Sequence, residues 1–150
     1  MKPNPSRKAA QVLLVEDNWG DVLLMREALR QLSPSLNLNI VTDGENALAY
    51  LNGEGKYSDS PRPDFILLDL NLPRMDGRAF LRRLRGRLGF QELPVVVLTS
   101  SRLDSDVREA EGLGISGYLA KPGDLAGFLE VARRLREFWL RLAALLPPEL

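Results

Sequence analysis

The residues able to do chemistry here are carboxylates, lysines and hydroxyls, because the 150 residues include neither cysteine nor histidine. That absence removes disulfides, thiolate nucleophiles, zinc sites built from Cys or His, and every Ser-His or Cys-His relay. Five of the remaining polar residues sit where short apolar runs end. Glu16 and Asp17 follow the run that closes at Val15, and Asp69 closes Phe65-Ile66-Leu67-Leu68. Thr99 ends the run from Val95, and Lys121 follows Gly117 to Ala120. Were these runs neighbouring strands, three carboxylates would meet at one edge and repel until one held its proton. A hard divalent cation that prefers oxygen resolves the conflict; Mg²⁺ is the usual candidate, with Mn²⁺ or Ca²⁺ as substitutes.

Such a group is complete for phosphoryl transfer onto a carboxylate. A metal neutralises charge on the transferring group, a lysine takes one phosphoryl oxygen, and a hydroxyl or backbone N–H takes another. Asp69, flanked by metal ligands, is the best nucleophile, with Lys121 and Thr99 as its catalytic companions. No base is required, since a carboxylate is ionised at neutral pH. Each feature alone has a plainer account. Acids after a strand serve as helix caps, a role open to Asn18 and Asp21, threonine is a β-former, and a lone lysine is ordinarily solvated. Together, at four strand ends, they are hard to credit to chance.

The elements that must position them are legible as periods. Apolar runs without polar alternation at Gln11 to Val15, Asp64 to Asp69 and Val95 to Thr99 read as strands covered on both faces, with weaker candidates at Asn37 to Val41 and Gly117 to Ala120. Helical spacing links Val22, Met25, Leu29 and Leu32, and again Phe80, Leu84 and Leu88. Regular β-then-α alternation predicts an α/β fold, a flavodoxin-like doubly wound parallel sheet of five strands in the order 2-1-3-4-5 with an extended C-terminal helix. Ligands then bind at the strands' C-terminal ends. The expected division is a flexible arm at 1–10, one domain at 11–142 including the last helix, and a tail at 143–150, with Pro147-Pro148 stopping the helix. Gly53 to Pro63 reads as a long exposed loop.

Composition agrees with a single core, at 45% hydrophobic and 27% charged residues. Twenty basic residues balance 20 acidic ones, which argues against a nucleic-acid partner. The apolar run Val12 to Val15 is shorter than a signal-peptide core, and no segment approaches the roughly 18 apolar residues of a membrane span, so the expected location is cytoplasmic, with no membrane partner.

Five motifs occur in order: Val15-Glu16-Asp17-Asn18, Leu68-Asp69-Leu70-Asn71-Leu72-Pro73, Met75-Asp76-Gly77, Leu98-Thr99-Ser100, and Gly117-Tyr118-Leu119-Ala120-Lys121-Pro122. In these the sequence resembles the receiver domain of two-component response regulators, over about Gln11 to Leu140. The resemblance implies that Asp69 accepts phosphate from the phosphohistidine of a sensor histidine kinase. It implies that Asp17, Asp69 and the Asn71 backbone carbonyl bind Mg²⁺ directly, with Glu16 acting mostly through water. Lys121 would hold the phosphoryl group, before a cis bond to Pro122, and Thr99 with Tyr118 would form the switch pair, the aromatic ring swinging inward as the hydroxyl moves. Asn71 and Ser101 hold positions that tune dephosphorylation. A narrower likeness, in Gly55 to Pro63 and Glu137-Phe138-Trp139-Leu140, is to the single-domain regulators paired with bacterial phytochromes. It implies a red-light context and a bacteriophytochrome kinase. Trp19 departs from that subfamily, beside the acids; it would shield the site or touch the kinase.

In the last helix Leu125, Phe128, Leu129, Ala132, Leu135, Trp139 and Leu142 should face the sheet, leaving Val131, Phe138 and Leu145 as an outer apolar seam at seven-residue spacing. With the face used by receivers, this predicts a symmetric homodimer through the last helix, with Val131, Phe138, Trp139 and Leu145 at its interface. The stripe Arg78, Arg82 and Arg85 reads as a solvated face. With no output domain expected after the helix, the signal leaves by protein contact or by passing phosphate onward. The competing classes are a phosphorylation-independent scaffold on the same fold and a haloacid-dehalogenase-like phosphohydrolase. For the latter, Asn71 lacks the carboxyl needed as acid or base. Nucleotide-binding glycine motifs are missing, and Pro73 and Arg74 spoil an EF-hand loop starting at Asp69.

Overall fold

The computed structural model describes residues 10–32, 36–87, 89–100 and 104–145. Residues 1–9 of the expected N-terminal arm, Leu88, Ser101 and Pro147-Pro148 lie outside the described residues, whereas Ala10, expected in the arm, is the buried first residue of the first strand. Five strands alternate with five helices: β1 (Ala10–Val15), α1 (Trp19–Arg30), β2 (Leu36–Val41), α2 (Gly44–Leu51), β3 (Phe65–Leu68), α3 (Gly77–Arg85), β4 (Val95–Thr99), α4 (Asp104–Gly112), β5 (Gly117–Ala120) and α5 (Leu125–Ala144). The strands form one parallel sheet in the order β2-β1-β3-β4-β5, as the alternation predicts. A single 3₁₀ turn at Gly55–Tyr57 interrupts the long α2–β3 connection.

The sheet is buried on both faces. Val12, Leu14, Phe65, Leu67, Val96 and Leu98 point to the layer of α1 and α5, whereas Leu13, Val15, Ile66, Leu68, Val95 and Val97 point to the layer of α2, α3 and α4. This is why the three inner strands read as unbroken apolar runs. Asn18, Asp43, Asp76 and Asp124 cap α1, α2, α3 and α5, each side chain accepting from the backbone N–H three residues on.

α5 corrects the surface expected for it. Val131 is 6% exposed and Trp139 1% exposed, both in the core, and Phe138 lies edge-on against Phe65 with ring centroids 5.2 Å apart. The buried positions Phe128, Val131, Ala132, Leu135 and Trp139 follow the i, i+3, i+4, i+7 pattern of a broad stripe, because α5 packs on both the sheet and α1. The seven-residue seam is one flank of that stripe. Of its three members only Leu145, 84% exposed, is free, and Ala143 is buried, so the helix extends past the expected boundary at 142.

The arginine stripe of α3 is not simply solvated either. Arg78 and Arg82 both pair with Glu109 of α4, at 3.7 Å for Arg78. The Arg85 guanidinium donates to four backbone carbonyls, those of Phe90, Leu93, Leu113 and Gly114, at 2.8–3.0 Å.

Candidate functional site

The residues singled out by type converge because the sheet's own ladder extends into the loops. The Glu16 N–H donates to the Val41 carbonyl at 3.0 Å, Asp69 N–H to Val15 at 3.1 Å, and Lys121 N–H to Thr99 at 3.1 Å. Glu16, Asp69 and Lys121 are thus each held by one further backbone rung past a strand end, and Thr99 is the last residue of β4. Two glycines allow the following helices to close on this edge. A Cβ on Gly77 would lie 2.6 Å from the Asp69 carbonyl oxygen, and one on Gly127 would lie 2.2 Å from Pro122 Cβ. Only glycine permits either approach; neither was singled out for such a role from the sequence.

Asp69 is buried, and its carboxylate accepts from three donors. Its Oδ1 accepts from the Thr99 hydroxyl at 3.0 Å and from the Asn71 N–H at 3.0 Å, and its Oδ2 accepts from Lys121 Nζ at 3.0 Å. Thr99 is fully buried, and its Oγ1 also accepts from Asn71 Nδ2 at 3.3 Å. Lys121 Nζ further reaches Glu16 Oε1 at 2.7 Å and Asp21 Oδ2 at 2.9 Å. Asp21 was foreseen only as a possible cap. Asn18 caps α1 instead, and Asp21, in the helix's first turn, turns its carboxylate to Lys121. Its spacing of four from Asp17, on a helix leaving the acidic strand end, was the available signal. Tyr118 pairs across the ladder with Val97, two residues before Thr99, and packs against the layer of α2, α3 and α4.

Glu16, Asp17 and Asp69 each offer an oxygen such that all three atoms lie within 4.8 Å of one another. Burial, opposed in part by the hydrogen bond from Lys121 and reinforced by the charge of Asp69, pushes the Glu16 carboxyl up to about 7. Burial alone would lower Lys121, but its bonds to Glu16, Asp21 and Asp69 prevail and hold its charge above the ordinary lysine range. Three carboxylates therefore share one ammonium, and a fourth, Asp17, stands beside two of them. An all-oxygen donor set with uncompensated negative charge fits a small divalent cation.

The comparisons with known proteins agree. The family model for the response regulator receiver domain matches residues 12–133. The chain belongs to this family. Receivers are the phosphoacceptors of two-component signalling, served by sensor histidine kinases, and they bind Mg²⁺ or Mn²⁺ at an acidic pocket, here Glu16, Asp17 and Asp69. This receiver is 39% identical over 134 residues to the response regulator Rcp1 of Synechocystis sp., an alignment covering 89% of this chain and 91% of Rcp1. The crystal structure of Mn²⁺-bound Rcp1 superposes with a TM-score of 0.80 at 37% identity, covering 93% and 99% of the two chains. The phosphorylated cyanobacterial phytochrome response regulator RcpA matches with a TM-score of 0.81 at 38% identity, covering 88% of this chain and 94% of that one. The response regulator RPA3017, in red light signaling of R. palustris, matches with a TM-score of 0.82 at 37% identity, covering 93% and 99%. Among the described residues of this receiver, no helix is long and apolar enough to cross a membrane.

The raised Glu16 carboxyl sets a pH dependence. A proton on Glu16 competes with the cation, so Mg²⁺ affinity should fall as pH drops through about 7. Without metal, the folded state keeps a proton that the unfolded chain, with its ordinary value of 4.5, has lost; stability should therefore decline as pH rises between 4.5 and about 7. Isothermal titration of Mg²⁺ at several pH values checks the first, and urea unfolding in chelator the second. A flat affinity across that window would place Glu16 outside the metal's influence.

Proposed function

We propose that Asp69 is the residue that accepts the phosphoryl group, from the phosphohistidine of a phytochrome-type sensor histidine kinase. The observation that carries this reading is the donor set around its carboxylate, the Thr99 hydroxyl, the Asn71 N–H and the Lys121 ammonium. A carboxylate oxygen of Asp69 attacks phosphorus, a P–O bond forms as the P–N bond to the imidazole breaks, and the freed imidazole nitrogen carries away the electron pair and takes a proton. Lys121 and Thr99 then exchange Asp69 for the phosphoryl oxygens, which concentrate the new negative charge. Asp17, Asp69 and the Asn71 carbonyl would hold a divalent cation, with Glu16 acting through water, and the bound cation would neutralise phosphoryl charge. Thr99 and Tyr118 form the switch that reports phosphorylation. Asp69's own phosphorylation and dephosphorylation are the whole of the chemistry, with no turnover of an external substrate, and the setting is cytoplasmic.

The phytochrome pairing rests on the likeness to Rcp1, RcpA and RPA3017. Dimerisation through α5 is part of the same proposal, with its surface redrawn. Val131 and Trp139 serve the core, while Leu140 and Leu145 are exposed. Beside them a groove between β5 and α5 is lined by Leu119, Phe138, Glu130, Arg134, Glu137 and Arg141. Acids and arginines interleaved on one helix are self-complementary under a two-fold axis.

The test is phosphotransfer from an autophosphorylated, radiolabelled phytochrome-type kinase, with Mg²⁺ or with chelator. Label should move to this chain within minutes with metal present and stay on the kinase without it. Transfer that ignores chelation would overturn the metal-assisted reading, and no transfer from this kinase, while acetyl phosphate still modifies the chain, would overturn the pairing.

A further inference from the structure

Arg74 is the one non-glycine among the described residues with a positive φ, 63°. It follows Pro73, and a residue with positive φ after proline is the place in a turn where glycine or asparagine ordinarily stands. A residue with a long side chain pays a conformational cost there that glycine would not, and contacts made by the side chain can offset it.

What it does is visible in its partner. The guanidinium donates to Asp43 Oδ2 at 3.0 Å, across 31 residues of sequence. Asp43 is buried and already committed, since its Oδ1 accepts from the Asn46 N–H at 2.8 Å to cap α2, and its Oδ2 accepts from Asn46 Nδ2 at 3.1 Å. The next residue, Met75, lies directly over Gly44, its side chain 3.0–3.3 Å from where a Cβ would stand. Two consecutive residues of the β3–α3 loop are therefore fastened to two consecutive residues at the start of α2. The loop's base is closed separately, by the Gly77 N–H on the Leu70 carbonyl at 2.9 Å.

Between these two fixings lies Asn71, whose N–H and side-chain amide point to Asp69 and Thr99. The other side of the clamp is also tied to the acids: the Val41 carbonyl, two residues before Asp43, accepts from the Glu16 N–H. The Arg74–Asp43 pair thus spans from the loop that carries Asn71 to the strand end that holds Glu16.

We infer that Arg74 is a positioning residue for the divalent cation: its ion pair with Asp43 fixes the β3–α3 loop so that Asn71 is held for the metal, and thereby sets the site's Mg²⁺ affinity. This rests on the metal site described above. The sign of the effect separates positioning from simple charge. Removing a cation near an acidic pocket should tighten Mg²⁺ binding through electrostatics, whereas releasing the loop should weaken it.

The experiment is Mn²⁺ binding, counted by electron paramagnetic resonance of the free ion, with Mg²⁺ as competitor, on the full chain. Arg74→Gly removes the pair while suiting the backbone better, and Asp43→Asn keeps the α2 cap while losing the charge. Each is expected to weaken binding about tenfold, the double variant no more than either alone, and Arg74→Lys to recover part of the loss. Thermal midpoints verify folding, and Arg74→Gly should hold or raise its midpoint. Unchanged or tighter binding in a folded Arg74→Gly would overturn the proposal and leave the pair a structural tie. Asp17→Asn, run alongside, separates the two failures: if it retains full affinity, the metal-site reading itself is wrong.

Discussion

Asp69→Asn is expected to take up no phosphoryl group from acetyl phosphate under conditions where the wild type gains one, seen by intact-mass spectrometry with Mg²⁺ present. The substitution is nearly isosteric, so the amide oxygen can still accept from Thr99 and the Asn71 N–H as Asp69 Oδ1 does. The second atom is now an NH₂ facing the Lys121 ammonium, where Oδ2 stood at 3.0 Å. Lys121 keeps Glu16 and Asp21, so the fold survives with a change of only about 1–2 kcal/mol. The chemistry does not survive, because an amide has no ionised oxygen to attack phosphorus, and labelling should drop by at least about 10³-fold. Full-rate labelling of the variant would move the acceptor elsewhere.

Trp139→Ala should destabilise the monomer by about 3–5 kcal/mol, a large part of the total stability of a domain this size. The indole is 1% exposed, among the largest side chains of the core layer beneath α1 and α5, and its removal leaves a cavity there. Its buried Nε1–H has no hydrogen-bond partner among the described residues, so Trp139→Phe, which deletes that donor and retains most of the volume, should lose far less. Urea unfolding at two protein concentrations distinguishes this from an interface effect, since a core loss lowers the midpoint equally at both. A midpoint unchanged in Trp139→Ala, with dissociation in sedimentation, would return Trp139 to the dimer surface.

Why some of this was legible and some was not follows from where the information resides. The inner strands announce themselves because both faces are covered, which makes Phe65 to Leu68 and Val95 to Leu98 uninterrupted apolar runs. Once strand order follows from the alternation, residues at and just past the strand ends must gather; Glu16, Asp69 and Lys121 do so through one extra ladder rung each, Thr99 as the last residue of β4 and Asp17 as the residue after Glu16. What escaped depended on a second element. Asp21 joins the site only because α1 leaves the sheet edge at an angle that brings its first turn to Lys121. The outer seam of α5 misled because a seven-residue spacing describes the flank of a broad buried stripe as well as an exposed one, and only the presence of α1 decides between them for Val131. The arginines of α3 looked solvated because Glu109, which two of them meet, lies on another helix 27 residues beyond Arg82.

Arg85 carries a mechanical consequence. Its four carbonyl partners belong to the segment entering β4 and to the turn leaving α4, so one guanidinium welds the end of α3 to the trailing end of α4. The body of α4 is held differently. It is restrained midway by Glu109, through surface ion pairs that solvent can exchange for water. A helix pinned at its exit resists sliding along its own axis. The guanidinium therefore fixes how far the exit of α4 stands along α3, and removing it would free that register.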